Sequence, residues 1–161
     1  GRSRNTPVGV AFWNRRPNSE PMSGDCIFCS IVDGEIPSHT VYEDDDVLAF
    51  LDANPLARGH TLVIPKAHQP QLQDLDPSLA ASIHEALFDL VGTVEGAVDA
   101  DGSNVGLNNG EASGQEIPHV HYHIVPRFEG DGGSPIHAVG GAAPDLDDDE
   151  LAAIADDIAG D

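Results

Sequence analysis

Lysine is almost absent from this chain. Lys66 is the only one in 161 residues, arginine brings the cations to 7, and 28 acidic residues set a formal charge of −21. A phosphate backbone needs a cationic surface, so nucleic acid is not expected as a partner. At low salt any phosphate-bearing ligand meets long-range repulsion. At molar ionic strength the Debye length falls to about 3 Å and that repulsion ends close to the surface. The acidity therefore reads as a halophilic adaptation to a salt-rich cytoplasm, with an acidic partner-binding surface as the alternative. Long apolar runs are also missing, and none approaches the roughly 18 residues a membrane span needs. A soluble, cytoplasmic protein without a membrane partner is expected. The length suits one core, able to bury roughly 68 to 70% of the surface of the unfolded chain.

The first 21 residues differ in kind. Gly1 to Pro21 holds Arg2, Arg4, Arg15 and Arg16, one acid (Glu20), three prolines and the sole tryptophan, Trp13. It lacks the apolar stretch of about 7 to 15 residues that a secretory signal carries. Residues 1–21 are expected to be a disordered or non-native extension, and 22–161 a single domain with an acidic C-terminal tail. Without the extension 3 cations face 27 acids.

From Asp25 onward the pattern alternates between two periods. Asp25 is placed to cap a short helix over Cys26 to Asp33 that Gly34 stops. Thr40 to Glu43, Val47 to Asp52 and His60 to Pro65 read as three strands of an antiparallel meander. Asp76 and Pro77 form a helix start, a capping acid before a proline at the first helical position. Leu79, Ile83, Leu87, Leu90, Val91, Val94 and Val98 then mark the buried stripe of one long helix. Asn104 to Asn108 and His119 to Val125 are the last two strands, and Leu151, Ile154 and Ile158 share one side of a terminal acidic helix. There is no internal repeat, Walker loop or GxGxxG. The expected class is α+β, an antiparallel sheet of about five strands with one long helix and short helices, packed on one face.

Histidines alternate in His119, Val120, His121, Tyr122, His123, Ile124, Val125. Residues two apart on a strand share a face, so the three imidazoles point one way and Val120, Tyr122 and Ile124 the other. A single zinc bound by all three is awkward, because the outer α-carbons would lie roughly 13 Å apart on a strand. A central imidazole flanked by two others suits nucleophilic or acid–base work. It is mostly neutral near pH 7, attacks electrophilic phosphorus, and is held in one tautomer by a bond to its other nitrogen. The loop just upstream, Asn108 to Gln115, has glycines that let backbone N–H groups converge on an anion. It is a plausible phosphate cradle in a chain short of cations.

The row His119-Val-His-Tyr-His-Ile-Val resembles the signature of the histidine triad (HIT) family. The resemblance runs from Cys26 to about Arg127, through VYEDDDVLAFLD, GHTLVIPKAH, LNNGEASGQ and HVHYHIVPR. It implies a HIT-like fold, a homodimer, and a hydrolase or nucleotidyl transferase acting at the α-phosphorus of a nucleotide substrate. By that resemblance His121 is the nucleophile, His123 contacts the phosphate and His60 helps position the catalytic ring. Asp52 matches the acid that binds ribose hydroxyls, and Ile27, Phe28, Phe50 and Leu62 match positions lining the base pocket. Asn108, Gly114 and Gln115 match phosphate-side positions. Ile27, Phe50 and Leu62 would equally be apolar core in any fold, and Asp52 a strand end.

This chain departs from the pattern in two ways. Many members carry Ser or Thr after the Gly-Gln pair, whereas here Glu116 follows, and its carboxylate would repel the phosphate unless protonated. The chain also runs 34 residues past Arg127, a tail that bears on substrate choice or the dimer. Cys26-Ile-Phe-Cys29 is a CxxC, read as a redox pair, half a zinc site or two small core residues. The CxxC-bearing branch of the family implies zinc held by Cys26, Cys29, His68 and His119, a structural cofactor tying the first helix to the catalytic strand. His39, His84 and His137 receive no role. The implied substrates are a nucleoside phosphoramidate or a dinucleoside polyphosphate. A non-catalytic nucleotide-binding regulatory module and a zinc-dependent hydrolase using the three histidines as ligands are the rival readings.

Overall fold

The five strands fall close to the expected segments. A computed structural model describes residues 25–160, and the 1–21 extension falls outside them. The elements of residues 25–131 are helix α1 (Ile27–Val32), strands β1 (Thr40–Glu43), β2 (Val47–Leu51) and β3 (Thr61–Pro65), helix α2 (Pro77–Val98), and strands β4 (Gly102–Leu107) and β5 (Tyr122–Arg127). The five strands form one antiparallel sheet in the order β1-β2-β3-β5-β4.

The two faces of the sheet carry separate cores. Val47, Ala49, Val63, Tyr122 and Ile124 pack with Ile83, Leu87, Leu90 and Val94 of α2. Leu48, Phe50, Leu62 and Ile64, one residue out of phase, pack with Cys26, Phe28 and Cys29. Strict alternation makes both sides apolar here, so the expectation of helices on one face is corrected: α2 covers one side and α1 the other.

Local chemistry alters the ends of three elements. Asp25 does not cap α1. The N-cap is Cys26, whose sulfur accepts from the Cys29 N–H at 3.3 Å. Pro77 opens α2 as expected, but the carboxylate of the N-cap Asp76 accepts from the Ser78 hydroxyl at 2.8 Å rather than from the backbone. The last strand begins at Tyr122 instead of His119, because the His119 N–H donates to Ile117 O and the Val120 N–H to Gln69 O. The histidine row thus enters the sheet from a turn pinned to the loop after β3.

Residues 132–160 form a second compact unit. Its helix α3 (Asp148–Ala159) starts at a reciprocal cap, the Glu150 N–H donating to Asp147 Oδ1 and the Asp147 N–H to Glu150 Oε1, both at 2.9 Å. Leu151, Ile154 and Ile158 share one side of it, at helical spacing.

Candidate active site and metal centre

His119 and His121 are buried, with 0% and 8% of their surface exposed, and His123 is half-buried. Each ring sits on the α1 side of the sheet. Phe28 meets His119 and His121 edge-on, with centroids 5.7 and 4.9 Å away, and His121 lies 5.1 Å from His123. Tyr122 and Ile124 project to the α2 side, as the alternation requires.

Hydrogen bonds fix the proton on each ring. A neutral imidazole has one N–H, so a nitrogen facing a carbonyl donates and one facing an N–H accepts. His121 Nδ1–H donates to the His119 carbonyl at 2.8 Å, which leaves the Nε2 lone pair free. The Leu56 N–H donates to His60 Nδ1 at 3.0 Å, so the His60 proton is on Nε2 and donates to His123 Nδ1 at 2.9 Å. His123 then carries its own proton on Nε2. His119 Nε2–H donates to Pro65 O at 2.9 Å and turns its Nδ1 lone pair toward the cysteines.

Burial keeps these rings neutral. It pulls His60 and His121 below the usual imidazole range against the opposing pull of Asp52. His123 falls to about 4, through burial and then the neighbouring His121 and His60. Neutral rings suit a lone-pair nucleophile.

Four donors converge at the start of α1. Cys26 Sγ is 3.3 Å from His119 Nδ1, and Cys29 Sγ is 3.3 Å from His68 Nδ1 and 3.6 Å from His119 Nδ1. Zinc–sulfur bonds of about 2.3 Å and zinc–nitrogen bonds of about 2.0 Å in a tetrahedron place S and N roughly 3.5 Å apart, so the set fits the ion. The fixed tautomer of His119 supports this, since its Nδ1 is already a lone-pair donor. Without a cation, burial and then the Cys26 sulfur push the Cys29 thiol up to about 12. Bound there, zinc would supply a crosslink between α1 and the histidine row.

The remaining expected residues divide between site and scaffold. Asp52, 22% exposed, lies with its Oδ2 3.6 Å from His60 Nε2, while its Oδ1 accepts from the Asn54 N–H at 2.8 Å. Phe28, Phe50 and Leu62 are buried in the α1-side core, and Ile27 is half-buried against it. Gln115 stitches the upstream loop, its Oε1 accepting from the Gly110 N–H at 2.7 Å and its Nε2 donating to Pro70 O and Ile117 O. Gly110 and Gly114 take φ of 96° and 105°, a turn that side chains resist. Asn108 lies beside Gly114 and, like Glu116, is exposed. Across the sheet His123 faces Gly106, where an added Cβ would meet nothing within 4 Å, so the space beside the ring is open.

His84 was without a role from sequence. Its Nδ1–H donates to Ala80 O at 2.9 Å and its Nε2 accepts from the Tyr122 hydroxyl at 2.6 Å, bracing the histidine strand from behind. No local pattern announces a contact between residues 38 apart.

The model of the HIT domain matches residues 33–130. The chain belongs to the HIT family. Among relatives, an uncharacterized HIT-like protein of Methanocaldococcus jannaschii is 47% identical over 107 residues, 66% of this chain and 82% of that one. Adenylylsulfatase HINT3 of Arabidopsis thaliana is 43% identical over 113 residues, 70% of this chain and 57% of that one. A zinc-bound histidine triad protein of Mycobacterium smegmatis, 41% identical, superposes with a TM-score of 0.66 over 70% of this chain and 81% of its own. The HIT family thus includes at least one named hydrolase and a zinc-bound member. Among the described residues of this HIT chain, no helix is long and apolar enough to cross a membrane.

Proposed function

We propose that this HIT protein is a nucleotide hydrolase acting at the α-phosphorus of a nucleoside phosphoramidate or dinucleoside polyphosphate through a nucleotidyl-histidine intermediate. The observation that carries this reading is the free Nε2 lone pair of a buried, neutral His121 whose Nδ1–H is held by the His119 carbonyl. The lone pair forms the N–P bond, the bond from phosphorus to the leaving group breaks, and the leaving group departs with its electron pair and is protonated by solvent. The positive charge that develops on the ring is stabilised by the carbonyl on Nδ1. Water then attacks phosphorus and gives up a proton to solvent, the N–P bond breaks with its electron pair returning to Nε2, and His121 is left neutral in its starting tautomer.

The other residues hold the substrate. His123 offers Nε2–H to a phosphate oxygen, and His60 fixes the orientation of that ring. Asp52 accepts from ribose hydroxyls, with the base toward Ile27 and the edge of the Phe28, Phe50 and Leu62 cluster. Asn108 and the Gly114–Gln115 turn border the phosphate, but the N–H groups of Gly110, Ser113, Gly114 and Gln115 are taken up inside the loop, so the expected cradle of converging backbone amides is corrected. Zinc on Cys26, Cys29, His68 and His119 is structural in this reading, and the active form is a cytoplasmic homodimer.

A hydrolase using His119, His121 and His123 as zinc ligands is disfavoured. His119 turns to the cysteines, His121 to a carbonyl and His123 to His60, and these three do not form a convergent donor group among the described residues. Intact-mass spectrometry after mixing with a panel of nucleoside phosphoramidates at high salt tests the proposal. A nucleotidyl adduct that is absent in His121→Asn supports it. Bound nucleotide recovered unchanged would establish the regulatory-module reading instead.

A further inference from the structure

Two donor clusters of similar chemistry lie near one another in this chain. One is the Cys26, Cys29, His68, His119 set, and the other is Asp52, His60 and His123, whose ligand atoms all lie within 4.8 Å of one another. In the second, His60 Nε2 is 2.9 Å from His123 Nδ1 and 3.6 Å from Asp52 Oδ2. Tetrahedral bonds of about 2.0 Å place such donors roughly 3.3 Å apart, so spacing alone would admit a transition metal. A metal there would occupy the nitrogens that orient the phosphate-facing ring. Spacing does not explain how one cluster is kept for metal and the other for substrate.

The proton inventory does. His119 presents a lone pair to the cysteines because its opposite nitrogen donates to a carbonyl. His60 is wired the other way, with its opposite nitrogen accepting from the main-chain N–H of Leu56. A metal on His60 Nε2 would move the ring proton to Nδ1, where it would point at the Leu56 N–H 3.0 Å away. Alternatively the ring would have to lose its proton altogether. Two donors facing each other in a half-closed loop leave both unsatisfied, and an imidazolate is harder still to form.

We propose that the Leu56 amide N–H is a positioning group that fixes the tautomers of His60 and His123, and that it thereby excludes transition metals from the Asp52–His60–His123 cluster. The loop is built to hold it there. The Asp52 N–H donates to His60 O at 2.9 Å and the His60 N–H to Ala57 O at 3.1 Å, closing residues 52–60 on themselves. The Leu56 side chain is 77% exposed, so its contribution to the site lies in its backbone. The link to catalysis rests on the hydrolase reading above. The tautomer and metal claims do not.

The test replaces the Leu56 amide by an ester, using the α-hydroxy acid analogue of leucine in a semisynthetic chain. This removes the donor and keeps the side chain. Nitrogen-15 NMR of the ring nitrogens reports the tautomers, and cobalt(II) titration followed by elemental analysis reports the metal count. The unmodified protein is expected to show His60 protonated on Nε2 and His123 on Nε2, and to take one cobalt per chain. The ester chain is expected to lose that tautomer preference and to take a second cobalt that Asp52→Asn removes. Its kcat should fall by roughly 10- to 100-fold with KM changed only a few-fold, as for a misoriented group. Leu56→Ala, which keeps the N–H, should retain the tautomers and the single cobalt.

A His60 proton on Nδ1 in the unmodified protein would overturn the proposal, and so would unchanged tautomers in the ester chain. If the ester chain does not fold, Cys26→Ala/Cys29→Ala in the otherwise intact protein decides. Cobalt bound there and lost on adding Asp52→Asn contradicts exclusion, whereas no cobalt supports it. Wild-type tautomers as stated in a protein that turns over no nucleotide would sink the hydrolase reading and leave this one standing.

Discussion

Removing the Phe28 ring tests whether α1 is part of the catalytic scaffold. Phe28 is 5% exposed and meets Phe50, His119 and His121 edge-on, with centroids at 5.8, 5.7 and 4.9 Å. Phe28→Ala deletes a ring that fills the space between the first helix and the histidine row. A buried Phe→Ala change costs about 3–5 kcal/mol, the transfer of the ring plus the cavity left behind. For a unit of this size that is a fall in Tm of roughly 10–20 °C. The uncovered His121 ring also gains freedom, so kcat should fall more than KM rises. Differential scanning calorimetry on the zinc-loaded protein, with steady-state kinetics well below the new Tm, reads both. A Tm within about 3 °C of wild type together with a KM raised tenfold would refute the packing argument. It would leave Phe28 with its base-pocket role alone and none in holding the histidine row.

Cys26→Ala should bring zinc well below one per chain by elemental analysis and lower Tm, whereas full zinc occupancy would remove Cys26 from the ligand set. Gly59→Ala should cost about 1–3 kcal/mol in chemical denaturation, because φ is +89° and the new Cβ would sit 3.0 Å from Val98 Cγ1 and 3.2 Å from Pro126 Cγ. Acid should destabilise the fold through His123: between the ordinary value of 6.5 and about 4 the unfolded chain binds a proton the folded ring refuses. Stability is therefore complete above 6.5 and declines as pH falls through that window, and a Tm that rises from pH 6.5 to 4.5 would contradict the burial of this ring. The charge of −21 predicts a higher Tm in 2 M than in 0.1 M KCl, and a salt-independent Tm would remove the halophilic reading.

Most of the elements were legible because their signals are local. Thr40–Glu43 matches the expected strand, Pro77 opens the long helix, and the alternation at 119–125 correctly separates the histidines from Tyr122 and Ile124. What escaped depends on pairs distant in sequence. Val47 to Leu51 reads as a near-continuous apolar run, which says that both faces are buried but not which helix covers each. The start of β5 was displaced because a backbone carbonyl 51 positions earlier, on Gln69, takes the Val120 N–H. At the site, residue types were visible in the sequence, whereas the proton positions depend on a carbonyl at His119 and an amide at Leu56 that every sequence possesses.

Tyr122 stands between two working imidazoles yet faces the opposite way, its hydroxyl lodged against His84 on α2. The long helix therefore acts as a keel for the row in front of it. In the proposed hydrolase, wear at that rear joint would surface as slower turnover with nucleotide affinity kept, a symptom easily mistaken for damage at the front.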